Sequence, residues 1–316
     1  MKKKYLKILI ACFLVINFTG CTQYLKTEDN KIIKNSETGQ NLPQNILCKP
    51  TDKKTIKIYE DYNQTSIDEL KVNLESLPAC DKLSPTEGNY EGIWTSVFVK
   101  PLAFLIIQIG ILVKSYGFGL IIATLLIRGV VWPFTKKTAM QSELLKKARP
   151  ELDKLENKYK NNKSNEAMMQ KSQEMMMIYK KYNISPLSGC LFSFIQIPLF
   201  FAFYEAISRI PAIFEETFLG FQLGTSPLTA LLSGKYYYLI FIVLIVAATY
   251  FSFKLNSSMS VSKEQEKQMK MMTNIMVIFM TITAFSISSG IAIYWITSNL
   301  FTIVQNLLVR RNKKND

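Results

Sequence analysis

The chain has 316 residues, with 38 Lys+Arg against 24 Asp+Glu, a net charge of 38 − 24 = +14, and no histidine. The missing histidine excludes Ser-His-Asp triads, HExxH zinc sites and histidine acid–base chemistry. Apolar residues make up 48% of the chain and cluster in long runs separated by short basic stretches. This is the pattern of a polytopic membrane protein, and basic loops facing anionic lipid account for the charge without any specific nucleic acid.

Residues 1–21 read MKKKYLKILIACFLVINFTGC. Lys2, Lys3 and Lys4 precede an apolar stretch from Ile8 to Phe18 that is too short to span, and small Gly20 stands before Cys21. A lipoprotein signal peptide over residues 1–20 is expected, leaving Cys21 as an acylated (palmitate-type) N-terminus outside the cytoplasm. Two acyl chains suffice for stable anchoring. The alternative is an uncleaved first helix with an incidental cysteine.

Residues 21–96 form an external polar region, read as partly disordered, with Pro43, Pro50, Pro78 and Pro85 and only weak local pieces at Ile56–Tyr59 and Ile67–Leu77. Cys48 and Cys80 both lie in it, where two thiols can pair or stay free. Cys190 falls in an apolar helix and reads as a small core residue. No residues have metal-ligand spacing, and no cofactor is expected.

The membrane domain is assigned to residues 97–309. Val97–Val113 is apolar but interrupted by Lys100, Pro101 and Gln108, which suits an interfacial amphipathic helix. Five spans follow, at Gly117–Phe134, Leu187–Ser208, Tyr236–Phe253, Met271–Ile287 and Gly290–Val309. The fold class is therefore all-α. Residues 135–186 carry twelve basic residues against six acidic, residues 254–270 carry Lys254, Lys263, Lys267 and Lys270, and the tail 310–316 is basic. The alternate loops hold only Arg209 and Lys235, so the basic segments are placed in the cytoplasm, with the N-terminus outside and the C-terminus inside. Tyr236, Tyr237, Tyr238 and Trp132 suit interfacial anchoring.

Within 135–186, Leu145, Ala148, Leu152, Leu155 and Tyr159 recur at helical spacing, as do Met168, Lys171, Met175, Ile178 and Tyr182 after a polar turn at Lys160–Asn165. An antiparallel helical hairpin is expected, with Pro150 kinking the first arm or marking a helix start. Its methionines either pack the seam or offer an adaptable surface to apolar clients.

Arg128 lies about eleven residues into the first span, near mid-membrane at 1.5 Å per residue. A guanidinium there costs at least about 2.5–3.5 kcal/mol. No acid occurs in the middle of another span, and Glu205 lies near the external end of its helix. Either water or an acidic substrate reaches Arg128, or its side chain snorkels past Trp132 and Phe134. Gln196, Thr124, Ser193, Ser252, Trp295, Thr297, Ser298, Asn299 and Gln305 are polar or amphipathic groups that share a wet groove with it or make ordinary interhelical hydrogen bonds.

The stretches SYGFGLIIATLLIR at 115–128, KARPELDKLENKY at 147–159, NISPLSGCLFSFIQIPLFFAFYEAI at 183–207 and GIAIYWITSNLFTIVQN at 290–306 occur in this order. Together they resemble the YidC family of membrane protein insertases, in the lipoprotein form of Gram-positive bacteria and their relatives. The resemblance covers about Lys100 to Arg310 and leaves out residues 22–93. It implies five spans around a hydrophilic groove open to the cytoplasm, with the family's groove arginine at Arg128, its glutamine at Gln196 and its tryptophan at Trp295. A groove glutamine late in the third span stands as Ser252 here, and Ser288 stands where a proline often precedes the glycine of the fifth span. The implied function is insertion and folding of nascent membrane proteins, alone or beside the Sec translocon, with the hairpin and tail receiving the client or the ribosome. It is not an enzymatic reaction, and no GxxxxGK[ST] motif is present. The alternative reading is a small anion transporter or channel with Arg128 as its binding charge, although no inverted repeat supports it.

Overall fold

Apolar runs of 18 or more residues satisfy their own backbone hydrogen bonds as helices, and helices dominate the computed structural model. It describes residues 22–66, 71–86, 91–162, 164–185, 188–256 and 263–312. The signal peptide and Cys21 lie outside the described residues, as do the side chains of Cys190 and Ser193. In chain order the helices are α1 (Lys53–Thr65), α2 (Lys100–Leu112, entered through a π turn at Thr95–Val99), α3 (Tyr116–Tyr159), α4 (Asn165–Lys181) and α5 (Ser188–Arg209). Two short helices, α6 (Pro211–Phe214) and α7 (Pro227–Leu232), flank a two-stranded ribbon, β1 (Thr217–Phe218) and β2 (Phe221–Gln222). Then come α8 (Leu239–Asn256), α9 (Lys263–Ala284) and α10 (Ser289–Asn312). The expected all-α class therefore holds apart from this ribbon and isolated bridges such as Tyr24–Pro43 and Lys49–Ala79.

Among the described residues, Thr95–Leu112, Tyr116–Tyr159, Tyr236–Leu255 and Ser289–Val309 are long and apolar enough to cross a membrane, and Thr273–Ala284 is a shorter apolar helix. The first of these takes in the helix read as interfacial at 97–113. Lys100, read as an interruption, is buried, and Pro101 sits in the first turn of α2, where its missing N–H costs nothing. Gln108, the other interruption, is exposed. A departure from the expected elements is α3, in which the first span and the first hairpin arm are one helix that continues through Pro133 and Pro150.

Contacts divide the chain into two compact units. The first comprises the chain to Thr124 with Ile197–Ile242 and Ala284–Trp295, and the second comprises Leu125–Gln196, Val243–Thr283 and Ile296 to the C-terminus.

In the first unit, the polar N-terminal region folds around a small core where partial disorder is the sequence expectation. Leu25, Leu42, Ile46, Tyr59, Tyr62 and Val72 are all buried together. Asp52 caps α1 by accepting from Thr55 N–H at 2.8 Å, and the Tyr59 hydroxyl donates to Pro43 O at 2.6 Å. The Cys48 and Cys80 sulfurs are bonded. Helices α2 and α3 cross at glycines, because a Cβ on Gly119 would stand 2.7 Å from Gly110 Cα.

In the second unit, the hairpin forms between α3 and α4, with a turn at Lys160 and Asn161. Leu145, Ala148, Leu152, Tyr179 and Ile184 make its buried seam, with Met175 and Ile178 packed against it. Ser164 caps α4 through Ala167 N–H. The Lys158–Glu174 and Lys181–Glu151 pairs, both 2.6 Å, tie the arms together at the surface.

Candidate functional site

The second unit contains a buried polar cluster built by three helices. Apolar residues on both sides of Arg128 hold it in helix α3, and its side chain is only 4% exposed. A buried guanidinium needs acceptors. Its Nη2 donates to Gln196 Oε1 of α5 at 2.9 Å and to Ser298 Oγ of α10. Thus Arg128 and Gln196, both expected at the site, meet through a direct bond. Ser298, which the sequence offers only as one of several polar residues of the last span, completes the group.

The polar face of α10 extends this contact. Ser298, Thr302, Gln305 and Asn306 are buried, and Gln305 and Asn306 stand three and four residues after Thr302, itself four after Ser298, which places them on one face of the helix. Gln305 Nε2 donates to Thr135 Oγ1 of α3 at 2.7 Å, and Trp132 packs edge-on against Phe301 with ring centroids 5.5 Å apart. Arg128–Ser298 and Thr135–Gln305 share one sequence separation of 170. A constant offset in the same sense means that α3 and α10 run parallel through these contacts, two helical turns apart.

The other expected site residues are placed less directly. Ser252 is buried at 3% exposure in α8, in the same unit, with Thr249 one turn before it also buried. Trp295 belongs to the first unit, where it is 7% exposed and meets Phe200 edge-on at 5.3 Å. Thr124, also in the first unit, bonds its own helix, donating to Leu120 O at 2.7 Å. Cys48 and Cys80 belong to the N-terminal fold rather than to either polar cluster. Among the described residues no group of three or more His, Cys, Asp or Glu could hold a metal ion.

Sequence reasoning missed a second buried charge. Arg209, counted there as a loop residue, ends α5 fully buried in the first unit. Its Nη2 lies 2.5 Å from Glu91 Oε2, its Nε donates to Asn45 O at 2.6 Å, and its carbonyl accepts from Leu47 N–H at 2.9 Å. Glu205, one turn earlier, accepts from Trp94 Nε1 at 3.0 Å. Spacing i,i+4 between Glu205 and Arg209 was the only local signal, and the partners at 45 and 91 were out of its reach.

Comparison with known proteins bears on what this arrangement serves. The profile of the family described as "60Kd inner membrane protein" matches residues 108–316. The membrane protein insertase YidC of Oceanobacillus iheyensis is 32% identical over 238 residues, covering 74% of this chain and 91% of that protein. Membrane protein insertase YidC 2 of Bacillus anthracis is 36% identical over 221 residues, covering 69% and 82%. A solved structure of an active YidC insertase with its first transmembrane domain resolved aligns at 19% identity and a TM-score of 0.43, covering 78% of this chain and 52% of that one. The family profile takes in Arg128, Gln196 and Ser298 together, and the chain that carries them belongs to the 60Kd inner membrane protein family, the family of the YidC insertases.

Proposed function

We propose that this chain is a multi-pass membrane protein insertase that places client membrane proteins into the bilayer and helps them fold. No chemical step is required. A client helix carries a polar, often acidic, flanking segment across hydrocarbon, where each charge costs at least about 2.5–3.5 kcal/mol. Arg128 lowers that cost by offering a positive charge within the membrane, and Gln196 and Ser298 hold the guanidinium in position. The apolar part of the client then partitions into lipid by hydrophobic burial.

The cluster at Arg128 is the observation that carries this reading. We place it in a groove that admits water from the cytoplasm, with Ser252 as a further lining residue. Parallel α3 and α10 support five spans, because two helices that cross in the same direction need an odd number of crossings between them, and α5, α8 and α9 supply three. With the basic hairpin and tail in the cytoplasm, the region before α2 lies outside. Cleavage before Cys21 then anchors the N-terminus by acyl chains at the cell membrane. The hairpin and basic tail meet the client, the ribosome or the Sec translocon.

The test is insertion of a single-span client with an acidic external tail into proteoliposomes, comparing the parent, Arg128→Lys and Arg128→Ala. Insertion that survives lysine and falls at least about tenfold with alanine, equivalent to about 1.4 kcal/mol, is expected. Full insertion by Arg128→Ala, or anion flux without insertion, would overturn the proposal.

A further inference from the structure

The connection between α5 and α8 carries apolar side chains that its own fold does not bury. Leu219 is 74% exposed, Leu232 82% and Tyr236 68%. From Thr217 to Gly234 the sequence contains no charged residue. Soluble loops are polar, and an exposed apolar edge of this kind marks a contact surface.

Leu219 is the most informative of these residues. It occupies the first position of the two-residue turn between β1 and β2, with φ +52°, followed by Gly220 at φ +83°. Turns of this type take Asn-Gly without strain, whereas a branched apolar residue in the left-handed region is a strained choice. The ribbon also stands at a fixed place. Glu216 accepts from Ser115 Oγ at 2.7 Å, Tyr116 N–H at 2.6 Å and Gly117 N–H at 3.2 Å, so its carboxylate caps the N-terminus of α3. Phe218 packs edge-on against Phe118 at 4.9 Å and fills the space beside Gly117. At the other end, Tyr236 opens the apolar stretch that continues as α8. The segment is therefore tied to the starts of two membrane helices, at the depth where spans meet the headgroups.

We infer that Leu219, Leu232 and Tyr236 form a membrane-contact rim that enters the headgroup–acyl boundary at that end of the spans. Continuity with two apolar helices and the absence of charge over 217–234 identify lipid, rather than a soluble partner, as the occupant. The rim holds the ends of α3 and α8 at the interface and crowds the lipid beside them.

Trp reporters test this in the full chain reconstituted in liposomes. Leu219→Trp and Leu232→Trp are compared with Lys57→Trp, a reporter on the exposed face of α1, each as a difference from the parent, which has three tryptophans of its own. Expected are blue-shifted difference emission at 219 and 232, at least twofold stronger quenching by phospholipids brominated near the headgroup, and at least twofold weaker quenching by iodide, relative to position 57. Quenching by iodide as strong as at Lys57→Trp with no effect of brominated lipid would overturn the inference. So would shielding that disappears as protein is diluted in lipid, which would assign the rim to a second copy. The readout does not depend on insertion activity or on which leaflet is involved, so it stands or falls separately from the insertase reading.

Discussion

Replacing Arg209 by methionine tests whether one buried cation fastens the N-terminal fold to helix α5. The side chain is fully buried, pairs with Glu91 at 2.5 Å and bonds Asn45 O at 2.6 Å. Breaking a buried pair costs about 3–5 kcal/mol when the remaining charge stays buried. Glu91 is 31% exposed and rehydrates on losing its partner, so the cost falls below that range, to about 2–3 kcal/mol including the lost bond to Asn45. At 1.4 kcal/mol per factor of ten, the detached state becomes roughly 30–100-fold more populated. Limited trypsin digestion of the purified chain in detergent reads this directly, because cleavage tracks the open population when closing outpaces cutting. Sites at Lys31, Lys34, Lys53 and Lys57 should be cut faster by that factor in Arg209→Met. Glu91→Gln should behave similarly, and the double variant should lose less than the sum of the two. Equal digestion of Arg209→Met and the parent would refute the reasoning.

Replacing both Cys48 and Cys80 by serine opens a loop closed over a separation of 32 residues, worth about 3–4 kcal/mol on the chain-entropy estimate. Digestion of residues 22–86 should accelerate without change in the fragments from the hairpin, and non-reducing peptide mapping of the parent should recover the linked pair. Glu216→Ala removes the cap of α3 and should cost about 1–2 kcal/mol, lowering the melting temperature in detergent, whereas Glu216→Gln should retain part of it. In the hairpin, hydrogen bonds from Lys181 and Tyr182 hold the Glu151 carboxyl below its ordinary range, and Lys158 and Tyr159 do the same for Glu174. A depressed carboxyl contributes stability above its ordinary pKa and loses it as pH falls through the lower, folded value. Amide protection factors in α4, corrected for intrinsic exchange, should therefore be flat at neutral pH and fall only below about pH 4, with high salt acting in the same direction.

Much of the membrane architecture could be read from the chain, because a bilayer makes structure local. Each apolar segment satisfies its backbone within itself, so apolar length is enough to place a helix. The hairpin was legible for the same reason, since its turn and its 3–4 spacing are local signals. Composition counts Lys100 as polar wherever it points, yet in α2 it is buried. Of the two readings of Pro150, the helix start is overturned, since α3 continues through it.

Apart from α1, which covers the weak local piece at Ile56–Tyr59, the N-terminal fold could not be read, because the contacts that close it are not local. Leu25 reaches Leu42, Lys49 pairs with Ala79, and Cys48 bonds Cys80, all across polar sequence with no periodic mark. The candidate site lies between these extremes. Arg128 announces itself by the cost of a charge in an apolar run, and Gln196 by standing alone in another. Ser298 looks like any small hydroxyl of a membrane helix until α3 and α10 are set parallel. The single separation of 170 then brings Ser298 to Arg128 and Gln305 to Thr135 at once, so register, rather than residue type, selects the third member of the cluster.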